Sequence, residues 1–332
     1  MTNTCLVTGA SGFIGRHLCR RLQQDGMRVR ALLRTPAEGP WDETYYFDLA
    51  QGDMPAGAFN GVDQCFHLAG VVHAMPQAGV PDALYHTVNV IGSERLASAA
   101  VEAGVRSFVY FSSVRAVADP GKDCVDESWQ SMPVDPYGVS KRVAEQRLLE
   151  IGQEGDLQVT VLRPALVYGA GVKGNLLRML QAIERGRFPP VPYTDNRRSM
   201  VGVDDLVAAA LCAARSAKAN GQVYFVSDNA PCSTRALYDW MSEALGRHAH
   251  SWSVPGPLLQ AGAWAGDLLE CVTGHVPPLT TAALSRLRGS ACYRSDMLQQ
   301  ALGWRPKTTI REAMPAIVKC YLAEKTPSVT TS

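Results

Sequence analysis

Two hydroxyl residues, Ser112 and Ser113, end the apolar run Phe108-Val109-Tyr110-Phe111, and Tyr137-Gly138-Val139-Ser140-Lys141 follows further along. Asp135-Pro136 reads as a helix start, an N-cap followed by proline at the first helical position. Tyr137 and Lys141 then lie four apart on one helix face. A phenol ordinarily titrates at about 10, too high for an efficient base at neutral pH, and a nearby ammonium favours the phenolate. With Ser113 to orient an oxygen, Tyr137 can exchange a proton with a hydroxyl or a carbonyl. Ser113 is the first choice for that hydroxyl, with Ser112 in reserve. A lone Tyr-x-x-x-Lys is also an ordinary helix-surface pair, so the reading depends on its company.

That company begins at Thr8-Gly9-Ala10-Ser11-Gly12-Phe13-Ile14-Gly15, where an apolar run gives way to a helical period. Gly9 permits a tight turn, Gly12 lets a pyrophosphate approach the backbone, and Gly15 lets helix and strand pack closely. Exposed N–H groups at a helix start favour an anion. The next run ends in Leu33-Arg34-Thr35 without the carboxylate that would accept from a ribose 2′-hydroxyl. Arg34 suits a 2′-phosphate instead, which favours NADP(H) over NAD(H). An exposed loop arginine is the plain alternative.

Elements must bring these groups together. Strands are expected at 5–8, 29–33, 45–47, 64–68, 107–112 and 159–162, with amphipathic stretches at 13–24, 84–103 and 137–152 between several of them. Such alternation predicts a parallel sheet covered on both faces. Beyond Pro164 the pattern turns helical, at 175–185, 204–214, 234–245, 258–272 and 310–323, with one strand-like run at 222–226.

Together, Thr8-Gly9-x-x-Gly12-x-x-Gly15, His67-Leu68-Ala69-Gly70, Asn89, Ser113 and Tyr137-x-x-x-Lys141 resemble the extended short-chain dehydrogenase/reductase family. The likeness runs from about Leu6 to Tyr321, and its branch is the nucleotide-sugar epimerase/4-ketoreductase one, of NAD-dependent epimerase/dehydratase type. It implies an α/β fold, a Rossmann-type doubly wound parallel sheet with a smaller, mainly helical C-terminal substrate domain. Residues 1–163, rejoined by 200–228, would form the dinucleotide domain. Residues 164–199 and 229–324 would bind substrate, and 325–332 would be a flexible tail. For the cofactor the likeness implies Phe13 and Ile14 at the pyrophosphate, Asp48 and Leu49 at the adenine, and Leu68, Ala69 and Gly70 along the groove. Asn89, Ser112 and Pro164 would border the active centre, and Lys141 would also hold the nicotinamide ribose. On the substrate side, 172–175 resembles the element whose asparagine, here Asn175, contacts the diphosphate. The run 196–206 resembles the arginine-bearing strand, with Arg198 preferred over Arg197. The family's third hydroxyl after the serines is Val114 here, a departure, and 292–296 departs too.

The expected reaction is NADP(H)-dependent reduction of the 4-keto group of a nucleotide-diphosphate sugar of UDP-deoxy-amino-sugar type, for polysaccharide biosynthesis. A sugar 4-epimerase retaining NAD(H), similar to UDP-glucose 4-epimerases, is the alternative. A silent nucleotide sensor is the third reading. A dehydratase would need a carboxylate where Val114-Arg115 stands.

The rest is exclusion. Lys and Arg number 32 against 31 Asp and Glu, which leaves no net field for nucleic acid or anionic membrane. No run is long and apolar enough for a spanning helix, and no secretory leader opens the sequence. The 9 cysteines lack Cys-x-x-Cys spacing and suggest reduced thiols and a cytoplasmic location. His248 and His250 lack a third ligand nearby, so no metal is expected there. Family habit suggests a homodimer through the helices near 84–103 and 137–152.

Overall fold

A computed structural model of the protein describes residues 3–72, 81–247, 252–274, 277 and 279–325. The strands are β1 (Thr4–Thr8), β2 (Arg28–Leu33), β3 (Glu43–Tyr46), β4 (Val62–His67), β5 (Ser107–Phe111), β6 (Cys124–Val125), β7 (Gln158–Pro164), β8 (Leu166–Tyr168), β9 (Met200–Gly202), β10 (Val223–Val226) and β11 (Cys292–Tyr293). Seven of them form a parallel sheet in the order β10-β7-β5-β4-β1-β2-β3. The order reverses between β1 and β4, and a crevice at the carboxyl ends of strands about such a switch is where α/β sheets bind ligands.

Alternation along the strands feeds two cores. Cys5, Val7, Val29 and Ala31 face Leu18, Leu22, Leu206 and Ala210 from the helices Phe13–Gln24 and Val203–Arg215. Leu6, Leu32, Cys65 and Phe108 face Leu96, Ala100, Ala144 and Leu148 from Gly92–Glu102 and Pro136–Glu154. The sheet is thus buried on both sides, which is why its strands are nearly continuously apolar. A third core joins the helices Asn175–Glu184, Thr234–Ala244 and Ile310–Lys325 through Leu180, Met241 and Ile317. The segment 200–228 supplies both a covering helix and the edge strand β10.

Several expectations need correcting. The stretch 84–103 is not one helix: a short α-helix at Asp82–Tyr85 passes through a π-helical turn at His86–Ile91 before Gly92–Glu102. The widened turn turns Asn89 inward, where it is 1% exposed. Lys325 closes the last helix and pairs with Glu184, 2.5 Å away, so the tail expected from 325 cannot begin there; 326–332 lie outside the described residues. His248 and His250 also lie outside them, and no metal-ligand cluster occurs among the described residues. The cysteines are not all thiols. Cys124 and Cys292, 168 residues apart, are joined by a disulfide across the β6–β11 pair. Spacing rules see only local pairs, so the sequence held no sign of it. No helix among the described residues is long and apolar enough to cross a membrane.

A polar chain runs beneath the switch point. The amides of Leu68 and Ala69 donate to Thr8 Oγ1 at 3.2 and 3.1 Å. That hydroxyl, twice an acceptor, donates to His67 Nδ1 at 2.7 Å. His67 Nε2 then donates to Ser93 Oγ at 2.7 Å, which donates to the Asn89 carbonyl at 2.7 Å. The neutral Nε2–H imidazole is the form this chain accepts. Burial, helped by the Lys141 charge, pushes His67 down to about 3. The unfolded chain therefore binds the extra proton first, between the ordinary value of about 6.5 and that depressed one. Stability should fall as pH drops below about 6.5, read as a falling urea midpoint. His67→Gln should be less stable at neutral pH yet lose less between pH 6.5 and 4.5; equal losses in both proteins would assign the effect to other groups.

Candidate active site

The Pro136–Glu154 helix begins as its sequence implies. Asp135 Oδ1 accepts from the Gly138 amide at 3.1 Å, and Pro136 occupies the first turn. Tyr137, Lys141 and Glu145 succeed one another on its buried face. Gly138 is required by crowding, because a Cβ there would lie 2.3 Å from the Arg115 carbonyl. This contact draws the turn after β5 against the helix start.

The Tyr137 hydroxyl is hydrogen-bonded to Ser113, whose Oγ also accepts from the Arg115 amide at 3.2 Å. Ser112 faces elsewhere: its hydroxyl donates to Glu145 Oε1 at 2.5 Å. Of the two serines, Ser113 is the one beside the phenol. Lys141 Nζ donates to the Phe111 carbonyl at 2.9 Å and to Tyr110 Oη at 3.1 Å. Burial drives the Lys141 ammonium down to about 8, opposed by the carboxylate of Glu145. For Tyr137 the expected lowering counts on a positively charged nicotinamide beside the phenol, and in the protein alone the balance differs. Burial pushes it up to about 12, against the Ser113 hydrogen bond and the Arg115 charge that lower it. In the cofactor-free protein it is therefore a neutral phenol, a proton donor at neutral pH.

The glycine turn fits a dinucleotide. Gly9 has φ +67°, and a Cβ on it would strike the Ala69 amide at 2.8 Å. A Cβ on Gly15 would lie 2.2 Å from the Gly9 carbonyl, so helix and strand meet with no room for a side chain. Gly12 is different. A Cβ there would crowd only the Gly9 carbonyl, at 3.1 Å, so its bareness leaves room in front of the helix. No side chain caps the start of Phe13–Gln24, and the first-turn amides of Phe13 and Ile14 are left for an anion.

Of the remaining cofactor candidates, Leu68 and Ala69 pack their backbone against Gly9. Leu68, Ala69 and Gly70 follow β4, and Asn89 braces their loop through Val71 N and O at 2.8 and 3.0 Å and Ser140 Oγ at 3.0 Å. With its side chain so committed, Asn89 shapes the groove wall. Leu49 is buried, and Asp48 Oδ1 accepts from the Ala50 amide at 2.9 Å. Arg34 is exposed at the end of β2 and has no ion pair among the described residues. Pro164 is buried at the end of β7.

On the substrate side Asn175 is exposed at the start of its helix, beside Gly174 at φ +72°. Arg197 is exposed, and only its backbone is anchored, the amide donating to Ser290 Oγ at 3.1 Å. Arg198 is half-buried, donates to the Arg286 carbonyl, and bridges Cys232 and Ala291 by its backbone. Burial lowers it while Asp119 favours its charge. A desolvated guanidinium without a direct carboxylate partner among the described residues is suited to an incoming anion.

Four supporting residues escaped the sequence reading. Arg115 Nη2 donates to Asp135 Oδ2 at 2.8 Å, binding the Ser113 turn to the helix cap. Glu145 and Arg163 form a buried pair at 2.6 Å. The Tyr85 ring lies 6.2 Å from that of Tyr137. Only Glu145 carried a local signal, its place four residues after Lys141 on the same face.

Comparison with known proteins agrees with this geometry. The family model described as "NAD dependent epimerase/dehydratase family" matches residues 5–227. A UDP-glucose 4-epimerase of Vibrio cholerae is 28% identical over 338 residues, covering 97% of this chain and 96% of that protein. The 4-hydroxy-2-methyl-3-oxo-4-farnesyl-3,4-dihydroquinoline-1-oxide ketoreductase of Stigmatella aurantiaca is 29% identical over 323 residues, covering 94% of each. Among solved structures, MoeE5 in complex with UDP-glucuronic acid and NAD superposes with a TM-score of 0.76 at 25% identity, covering 97% of this chain and 100% of that one. Fold, site and family model coincide: the chain belongs to the NAD-dependent epimerase/dehydratase family and is an NAD(P)-dependent enzyme of the extended short-chain dehydrogenase type.

Proposed function

We propose that the enzyme reduces the 4-keto group of a nucleotide-diphosphate sugar, of UDP-deoxy-amino-sugar type, with NADP(H) as the preferred cofactor. The observation that carries this reading is the meeting of Ser113, Tyr137 and Lys141 beside the bare glycine turn. When bound, the nicotinamide cofactor supplies the hydride chemistry. The protein supplies the rest. Ser113 hydrogen-bonds the carbonyl oxygen, and Tyr137, a neutral phenol, gives that oxygen its proton. Lys141 supplies a buried positive charge that steadies the phenolate left behind. Gly9, Gly12, Phe13, Ile14 and Gly15 would cradle the pyrophosphate, and Arg34 would pair with a 2′-phosphate. Arg198 would hold the substrate diphosphate, with Arg197 and Asn175 at the rim.

The segments 164–199 and 229–324 serve here as the substrate-binding unit, facing the dinucleotide-binding unit of 1–163 and 200–228. Self-association through the segments 84–103 and 137–152 is supported by Ile91 and Val139, hydrophobics 40% and 39% exposed.

A 4-epimerase is the second reading. The Vibrio cholerae relative and the NAD in the MoeE5 complex favour it, and it would use the same Tyr137 in both directions. Mass spectrometry of nucleotide released from freshly purified protein separates the two. Protein that arrives empty and binds NADPH more tightly than NADH is the expected result; retained NAD would favour the epimerase and make Arg34 an ordinary surface residue.

Tyr137→Phe should lower turnover by about 10²–10⁴-fold while changing cofactor affinity little, as single-turnover kinetics and a fluorescence titration would show. Undiminished turnover would remove the proton-donor role and leave a nucleotide sensor. Arg198→Ala should raise the KM for a UDP-sugar by about tenfold or more, and Arg197→Ala by only a few-fold. The reverse order would move the diphosphate contact to Arg197.

A further inference from the structure

The helix Gly256–Thr273 is apolar on its outer side as well as its inner one. Inward, Leu259, Ala263 and Gly266 are buried, and a Cβ on Gly266 would lie 1.9 Å from the Leu279 carbonyl, so the helix is seated tightly. Outward, Leu258, Trp264, Leu268 and Val272 are 63, 64, 66 and 76% exposed, with Ala261 and Ala265 between them. These positions recur at helical spacing and form one continuous stripe. Neither acid of the helix interrupts it: Asp267 accepts from the Thr281 amide and hydroxyl at 3.0 and 2.6 Å, and Glu270 is half-buried. A contiguous apolar patch of this kind is often functional.

We propose that this stripe rests on an anionic lipid surface. Its shape argues against a second copy of the chain. The stripe is one helix wide and about 27 Å long, a narrow strip that by itself falls short of the ~800 Å² per partner of a stable protein interface. Shallow insertion into a bilayer needs no such area. The helix is too short and too interrupted to span, but a tryptophan among leucine and valine suits the interfacial layer. Charge agrees. The adjoining helix Thr281–Arg288 has no acidic residue and exposes Arg286 and Arg288 in its last turn, neither in an ion pair among the described residues. Arg288 Nη2 donates to the Gly256 carbonyl at 3.2 Å, which fixes a cation at the head of the stripe. The inference is independent of which reaction the enzyme performs.

Flotation of the purified full chain tests it, with vesicles of phosphatidylcholine alone and of phosphatidylcholine with phosphatidylglycerol. The protein should float with the anionic vesicles, less with neutral ones, and less again in high salt. Trp264→Ser with Leu268→Ser should lower the bound fraction by about tenfold or more at unchanged cofactor affinity, which certifies the fold. Arg286→Gln with Arg288→Gln should lose the preference for anionic vesicles. The proposal is overturned if the wild type fails to float with either vesicle, or if the Trp264/Leu268 variant floats equally well. It is also overturned if the wild type without lipid is a dimer that this variant makes monomeric, since the stripe would then be covered by a second copy.

Discussion

A buried ammonium is the constraint around which the site is organised. Lys141 is 3% exposed, and enclosing such a charge is costly unless other groups compensate. The Phe111 carbonyl and Tyr110 hydroxyl accept its hydrogen bonds from the side of β5, and the Glu145 carboxylate one turn along opposes the loss of charge. Glu145 is in turn held by Arg163 at 2.6 Å and by Ser112 at 2.5 Å. One charge network therefore ties the ends of β5 and β7 to the helix that carries Tyr137. Removing one member of a buried ion pair typically costs about 3–5 kcal/mol, because the other is left uncompensated. Ser113 and Tyr137 owe their proximity to this network as much as to their own hydrogen bond.

What could be read beforehand follows from how local each contact is. Gly9, Gly12 and Gly15 act within one turn, and Tyr137 and Lys141 within one helix, so their spacing declares them. The strands were legible for a related reason: burial on both faces writes each as an apolar run, and the helix 13–24 falls where its periodicity placed it. The Thr8–His67–Ser93 chain and the Glu145–Arg163 pair join different elements, and nothing in their spacing announces them. The π-helical turn at His86–Ile91 was hidden because its residues keep an ordinary helical composition. Tyr137 shows a different limit. The Lys141 ammonium is legible from the helix spacing, but the Arg115 charge comes from a neighbouring turn, and the burial that dominates the titration of Tyr137 comes from packing that spacing does not reveal.

The proposed substrate side is built from short pieces. β8 and β9 pair over three residues each, and β6 with β11 over two. Arg198 sits between Cys232 and Ala291, and the next residue, Ser199, exchanges hydrogen bonds with Tyr293 at 2.9 and 3.0 Å. Asn196 reaches Thr234 Oγ1 at 2.9 Å and the carbonyls of Leu287 and Gly289, each at 3.2 Å. Small irregular strands of this kind are held by side-chain clamps more than by ladders.

The disulfide between Cys124 and Cys292 gives the chain a covalent topology that a linear sequence does not suggest. It encloses Tyr137, Lys141, Arg163 and Arg198 in one ring, so the proposed proton donor and the proposed substrate arginine share a closed circuit of bonds. While the bond is oxidised, a single proteolytic cut anywhere on that circuit opens the ring without releasing a fragment. A nicked molecule would keep its full mass and hold both halves of its active centre together.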